Sequence, residues 1–339
     1  MKKNSYFSLD FIDDKFVFLD QTKLPLTEDY ITTEDYNRIA EAIERLEIRG
    51  APAIGVAAAY GLTLALKGIP KDSVSKKFET AYLRLSKTRP TAVNLFRSLE
   101  DLKNVYEDNM DSDDIYSILK SEAENIHKDD IEKCRLIGEN GLSIFKKNKS
   151  NVLTHCNTGK LATSGDGTAF NVIKKAFKKD LINFVYADET RPLLQGLRLT
   201  SFELEKNGIP FAVLTDSSAA FLMQQNKVDL VVVGADRIAI NGDTANKIGT
   251  YSLAVLCYHH NIPFYIAAPT TTIDRTIPSG QEIVIEERKS IELTQVSGNT
   301  IAPETYNAYT PAFDVTPSHL ITGIITEDQV YSFPYNFIQ

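Results

Sequence analysis

The sequence predicts an α/β protein. A C-terminal Rossmann-like parallel-sheet domain follows a smaller, mainly helical N-terminal domain with a short β-hairpin. Three observations lead there. From residue 151 on, short β-branched runs alternate with helical stretches, the pattern of βαβ units in a parallel sheet. Before that point, apolar residues recur mostly at helical spacing. The 339 residues are enough for two domains at roughly 150 residues each.

The elements follow in order. Phe11 to Leu19 reads as a hairpin about the polar turn Asp13-Asp14-Lys15. Thr32 with Asp35 three residues on is a capping signal. Tyr36, Ile39, Ala40, Ile43 and Leu46 then recur at helical spacing. Further helices are expected near Pro52 and near Pro90, since proline suits the first helical turn. Asp108 to Asp114 is a polar break, and two more helical stretches are expected up to Phe145. The expected domains are 1–127 and 128–339. In the second, strands are expected at Val152–Thr154, Phe184–Tyr186, Phe211–Leu214, Leu230–Val233 and Phe264–Ile266, with a sixth at Ile321–Ile325. The strand order is not legible.

Composition narrows the function classes. There are 37 Lys+Arg against 45 Asp+Glu, a net charge of −8, which argues against a general nucleic-acid binder. The start has two lysines but no apolar run behind them, so no signal peptide is expected. Ala51 to Leu66 is too short for a bilayer span and reads as a buried helix. A cytoplasmic protein with no membrane partner is the expectation. The cysteines, Cys134, Cys156 and Cys257, are odd in number and lack zinc-ligand spacing. No disulfide framework and no metal are expected.

In an open parallel sheet, ligands bind beyond the carboxyl ends of the strands. Those ends read His155-Cys156-Asn157, Asp188-Glu189-Thr190-Arg191, Thr215-Asp216, Ala235-Asp236-Arg237 and Ala267-Ala268-Pro269. Cys156 opens a loop leading to a helix, where a thiol pKa can be lowered. Cys134 and Cys257 sit in apolar helical contexts and read as core. Asp236 reads equally as a turn or cap residue and as a desolvated acid that holds a proton near neutrality. Arg49-Gly50-Ala51-Pro52 and Arg89-Pro90-Thr91 put an arginine before a helix start, where backbone N–H groups suit a phosphate. Asn246-Lys247 is expected near the start of the helix after Asp236. Gly165-Asp166-Gly167 lacks the third dinucleotide glycine and lies too far from the strand, so NAD binding is not expected.

These segments carry a specific resemblance. Arg49 to Gly55, Arg89 to Leu95, His155 to Gly159, Asp188 to Pro192 with Gln195-Gly196, Gly234 to Ala239, Asn241 to Thr250 and Pro311 to Pro317 resemble the methylthioribose-1-phosphate isomerase family in order and spacing. The wider group includes ribose-1,5-bisphosphate isomerases and the regulatory subunits of eukaryotic initiation factor 2B. The resemblance implies a homodimeric aldose–ketose isomerase of methionine salvage that acts on a phosphorylated pentose without a cofactor. It implies Cys156 and Asp236 as the catalytic pair. It implies Arg49, Gly50, Ala51, Arg89, Gln195, Asn246 and Lys247 as substrate contacts.

The residues also depart from the family pattern. Lys160 stands where a small residue is usual, Asp166 where an aromatic is common, and Thr310 where Asn is usual. Lys160 and Asp166 either face the pocket or pair with each other in solvent. The first case favours another 5-substituted ribose 1-phosphate, such as 5-deoxyribose 1-phosphate. A non-catalytic regulatory subunit is the reading of a different class, and the retained Cys156 and Asp236 weigh against it.

Overall fold

The uninterrupted run Leu230-Val231-Val232-Val233 becomes the buried strand at the centre of the fold. Its side chains alternate between two apolar cores. Leu230 and Val232 face one, Val231 and Val233 the other. A strand covered on both faces needs apolar residues at every position, which is why the run does not alternate with polar ones. The computed structural model describes residues 5–89, 92–147, 149–296, 298–303 and 305–337. The chain forms two units. Unit 1 holds residues 1–135 and 159–167, and unit 2 holds 136–158 and 168–339.

Unit 1 opens with an antiparallel sheet of β1 (Leu9–Ile12), β2 (Lys15–Leu19) and β3 (Tyr30–Thr33). The hairpin is where the sequence puts it, and a third strand joins it. Thr32 therefore lies in β3, and the cap of α1 (Tyr36–Glu44) is Asp35, which accepts the Asn37 N–H at 2.9 Å. Side-chain reach explains this correction: Asp35 directly precedes the helix, while Thr32 is held in the sheet opposite Val17.

Then come α2 (Ala51–Leu64), α3 (Lys71–Ser86), α4 (Val93–Asp108) and α5 (Ile115–Asn140). In α2 every residue but Pro52 is buried. Such a helix has no polar face, so its all-round apolar sequence marks a core helix. No helix among the described residues is long and apolar enough to cross a membrane. The two helical stretches expected before Phe145 are the single helix α5 and a short 3-10 turn. Position 127 lies inside α5, and the units divide after Arg135.

Unit 2 is built on a seven-stranded sheet. Its strands are β4 (Ser150–Thr154), β5 (Ile182–Asp188), β6 (Phe211–Leu214), β7 (Leu230–Val233), β10 (Phe264–Ala267), β15 (Gly323–Ile325) and β16 (Val330–Ser332). The order is β16-β15-β10-β7-β4-β5-β6, all parallel except β16. The helices α6 (Ala169–Lys178), α7 (Ser201–Lys206), α8 (Ala219–Gln224) and α9 (Thr250–His260) connect these strands. From β4 the chain moves outward through β5 and β6, then returns to add β7 on the other side of β4. The strand order therefore reverses between β4 and β7.

A second sheet, in the order β11-β8-β9-β14, follows β7. It contains β8 (Arg237–Ala239), β9 (Thr244–Lys247), β11 (Ile273–Asp274) and β14 (Phe313–Thr316). A short helix α10 (Ile291–Thr294) and the hairpin β12 (Gln295–Val296) with β13 (Asn299–Thr300) lie between β11 and β14.

Candidate active site

In a sheet whose order reverses, the loops after the two strands at the reversal part and leave a crevice. Here those loops follow β4 and β7, and they carry Cys156 and Asp236. Below the crevice they pack tightly. A Cβ on Gly234 would stand 2.7 Å from Thr158 Cγ2, so only glycine fits there. Thr154 Oγ1 donates to the Val232 carbonyl at 2.8 Å.

Cys156 is buried and has φ of +60°, a left-handed conformation that costs a non-glycine residue energy. Two threonines hold it. The Cys156 N–H donates to Thr190 Oγ1 at 2.8 Å, and Thr200 Oγ1 donates to the Cys156 carbonyl at 2.5 Å. Thr190 Oγ1 in turn donates to the Asp188 carbonyl at 3.1 Å. The Thr190 and Arg191 N–H groups donate to the two oxygens of Asp216, each at 2.8 Å. The loops after β4, β5 and β6 thus form one hydrogen-bonded edge under the thiol. Asn157 points away, donating to Glu203 Oε1 at 2.7 Å.

Asp236 lies in the bend between β7 and β8, half-buried, with its N–H donating to the Ala245 carbonyl at 2.9 Å. Asn246 and Lys247 end strand β9 and lie just before α9 begins at Thr250, near a helix start as expected; that they belong to a strand was not expected. The turn at Asn241-Gly242-Asp243 folds β9 back on β8, and β14 pairs with its other side. A buried hairpin strand of four polar or small residues has no apolar signal by which to recognise it.

Lys247 is buried, and that burial pushes its ammonium below the ordinary lysine value. The charges of Cys156, Glu292 and Asp236 pull it back up, while Arg288 pushes it further down. These influences bring Lys247, Cys156 and Asp236 into one electrostatic neighbourhood. Gln195 is also buried at this edge, after Asp188, with its Oε1 lacking a hydrogen-bond partner.

The other expected contacts lie in unit 1. Gly50 caps α2 with φ of +90°, and Ala51 begins the helix. Arg49 and Arg89 are half-buried. Pro90 and Thr91, part of the second expected arginine-proline device, lie outside the described residues. Lys160 and Asp166 pair with each other at 3.3 Å, both partly exposed. Thr310 Oγ1 donates to the Arg288 carbonyl at 2.6 Å. Cys134 and Cys257 are buried, as expected of core residues, and no disulfide joins the three cysteines. Sequence reasoning missed His155, Asp188, Thr190 and Thr200 as the frame around Cys156. The polar strand ends were the available signal, but not who pairs with whom.

Known proteins match this chain along its length. The profile of the Initiation factor 2 subunit family matches residues 47–330. A methylthioribose-1-phosphate isomerase of Desulfitobacterium hafniense is 51% identical, over 97% of this chain and 96% of its own. The crystal structure of 5-methylthioribose 1-phosphate isomerase from Pyrococcus horikoshii OT3 superposes with a TM-score of 0.91 at 40% identity, over 98% of this chain and 94% of that one. The chain belongs to the methylthioribose-1-phosphate isomerase family. Another structure, a translation initiation factor eIF-2B subunit delta from A. fulgidus, has a TM-score of 0.86 at 40% identity, over 98% and 97% of the two chains. Within this family the fold alone does not fix the activity, so the residues at the crevice decide it.

Proposed function

We propose that the chain converts 5-methylthio-α-D-ribose 1-phosphate to 5-methylthio-D-ribulose 1-phosphate, an aldose–ketose isomerisation in methionine salvage. The observation that carries the reading is the place of Cys156 and Asp236 on the two loops that flank the strand reversal. The names and high identity of the relatives support the same substrate.

The substrate's anomeric oxygen is phosphorylated, so the ring cannot open to a free aldehyde. The ring oxygen must take a proton as its bond to C1 breaks. Asp236 supplies it as general acid. The hydrogen on C2 then moves to C1, the C2 hydroxyl loses its proton, and C2 becomes the ketone. Cys156 assists this transfer. Asn246, Lys247 and Gln195 bind the sugar, a role their polar groups at this edge support. Arg49, Gly50, Ala51 and Arg89 are assigned to substrate on the family resemblance, with the two arginines on the phosphate.

Two further parts belong to the reading. The active form is a homodimer, supported by apolar side chains left exposed on α8 and α9, among them Phe221 and Tyr258. The location is cytoplasmic, since a reactive thiol needs a reducing compartment.

Cys156→Ser and Asp236→Asn test the mechanism. Each should lose isomerisation by orders of magnitude while the protein stays folded, and near-normal turnover in either defeats the assignment. Comparing 5-methylthioribose 1-phosphate, 5-deoxyribose 1-phosphate and ribose 1,5-bisphosphate tests the substrate. A clear preference for the second would transfer the same mechanism to a deoxy sugar.

A further inference from the structure

Directly before Cys156 in the chain is a histidine that is 1% exposed. Both of its ring nitrogens face oxygens. His155 Nδ1 lies 2.9 Å from Asp188 Oδ2, and Nε2 lies 2.9 Å from the Ile248 carbonyl. A neutral imidazole has one N–H and one lone pair. The carbonyl can only accept, so Nε2 carries a proton. A lone pair on Nδ1 would then oppose the carboxylate unless Asp188 itself were protonated.

The surroundings favour the charged ring. Asp188 from β5, Asp216 after β6 and Asp314 from β14 all act on this ring. Asp216 and Asp314 each accept two backbone N–H groups, though burial still holds the Asp314 carboxyl above its ordinary value. From α9 the Cys257 thiol faces Asp188, and burial pushes that thiol far above its ordinary range. Burial disfavours charge on His155. The hydrogen bond and charge of Asp188, the charge of Asp216 and the Ile248 carbonyl together still raise the ring above its ordinary value. Burial holds the Asp188 carboxyl above its ordinary value, with His155 only partly pulling it down, and its Oδ1 has no hydrogen-bond partner. With both nitrogens committed, the ring keeps no lone pair for a metal ion.

The connections of the ring give it a role. Cys156 follows it on the β4 loop, and Ile248 follows Lys247 at the end of β9. Gly249 lies flat against it: a Cβ there would stand 2.9 Å from Cε1 and 3.0 Å from Nε2. We propose that His155 is a positioning residue held as an imidazolium, a charged strut that sets Cys156 against the Asn246–Lys247 strand end. This rests on the proposed catalytic role of Cys156. The ring does not touch substrate. It acts through the placement of the thiol and of Lys247, where a misplacement of about 1 Å can cost about a hundredfold in rate.

The test pairs a spectroscopic and a kinetic readout on the full-length enzyme. Protein labelled with ¹⁵N-histidine is followed by NMR from pH 6 to 9, with the His155 signal assigned by its loss in His155→Gln. Two ring N–H protons at neutral pH are expected, and a single ring N–H there overturns the proposal. His155→Gln should lower kcat at least about tenfold on 5-methylthioribose 1-phosphate while KM changes less than about threefold. A folded His155→Gln enzyme with normal kcat also overturns it. Asp188→Asn keeps an oxygen for Nδ1–H but removes the countercharge, and covers the case where His155→Gln does not fold. In it the ring should lose its second proton within the range and kcat should fall in parallel; unchanged kcat with a neutralised ring refutes the strut. Cys156→Ser is the separate arm. Full activity there overturns the role of the thiol, whereas the ring protons report on His155 alone.

Discussion

Replacing Thr190 by valine removes one hydroxyl and keeps the side-chain shape. That hydroxyl accepts the Cys156 N–H at 2.8 Å and donates to the Asp188 carbonyl at 3.1 Å. Thr190 is fully buried, so water cannot replace either bond without opening the loop. Leaving a buried backbone group without its partner costs about 1–3 kcal/mol, so the two together come to about 2–4 kcal/mol after local relaxation. Thr190→Ser is the control. It keeps both hydrogen bonds and loses one buried methyl, worth about 1 kcal/mol. The predicted gap between the variants is therefore about 1–3 kcal/mol, with valine the worse. Guanidinium unfolding of the two variants measures it. Isomerase kinetics should show a larger loss of kcat in the valine variant, because Cys156 is released from its left-handed conformation. A Thr190→Val protein within about 0.5 kcal/mol of wild type, or more stable than Thr190→Ser, would refute the view that this hydroxyl holds the thiol in place.

Gly50→Ala should destabilise unit 1 by at least about 1–3 kcal/mol from backbone strain at φ +90°. Its Cβ would also lie 2.3 Å from the Ala162 carbonyl oxygen, so a variant as stable as wild type in thermal unfolding contradicts that geometry. The raised pKa of His155 makes stability depend on pH. Folding favours the protonated ring, so its contribution is complete below the ordinary value of 6.5 and is lost as pH rises through the higher folded value. Denaturation midpoints should show wild type losing its advantage over His155→Gln as pH rises, and a constant gap would exclude this linkage. Lys160→Ala breaks a partly exposed ion pair with Asp166, worth about 0–1 kcal/mol, and removes the ammonium from over the Tyr6 ring. It should leave the preference between methylthio and deoxy substrates within about threefold, and a wholesale switch in specificity would mean that Lys160 faces the substrate.

Much of this protein is legible from particular residues. Leu230 to Val233 announces a strand buried on both faces, and Asp236 follows it at the edge where ligands bind. Gly50-Ala51-Pro52 announces a helix start, which α2 bears out. The errors have a common cause. Thr32 has capping chemistry but is held in β3, because pairing with β2 is decided by a distant segment. Thr244-Ala245-Asn246-Lys247 has little apolar content and goes unmarked as a strand, yet β8 and β14 both pair with it. Local propensity is a weak prior where long-range partners compete for the backbone.

The sequence by itself determined the fold class, the polar residues at the strand ends and the family, because periodicity and motif spacing are local properties of the chain. Only the tertiary structure decided how those ends meet. The reversal of strand order between β4 and β7 puts Cys156 and Asp236, 80 residues apart, on the loops after two neighbouring strands. It also decided that both nitrogens of His155 face acceptors, and that Thr190 and Thr200 hold Cys156 in its strained conformation. These are pairings between distant segments, and their energy arises from burial and hydrogen-bond geometry that exist only once the sheet has formed.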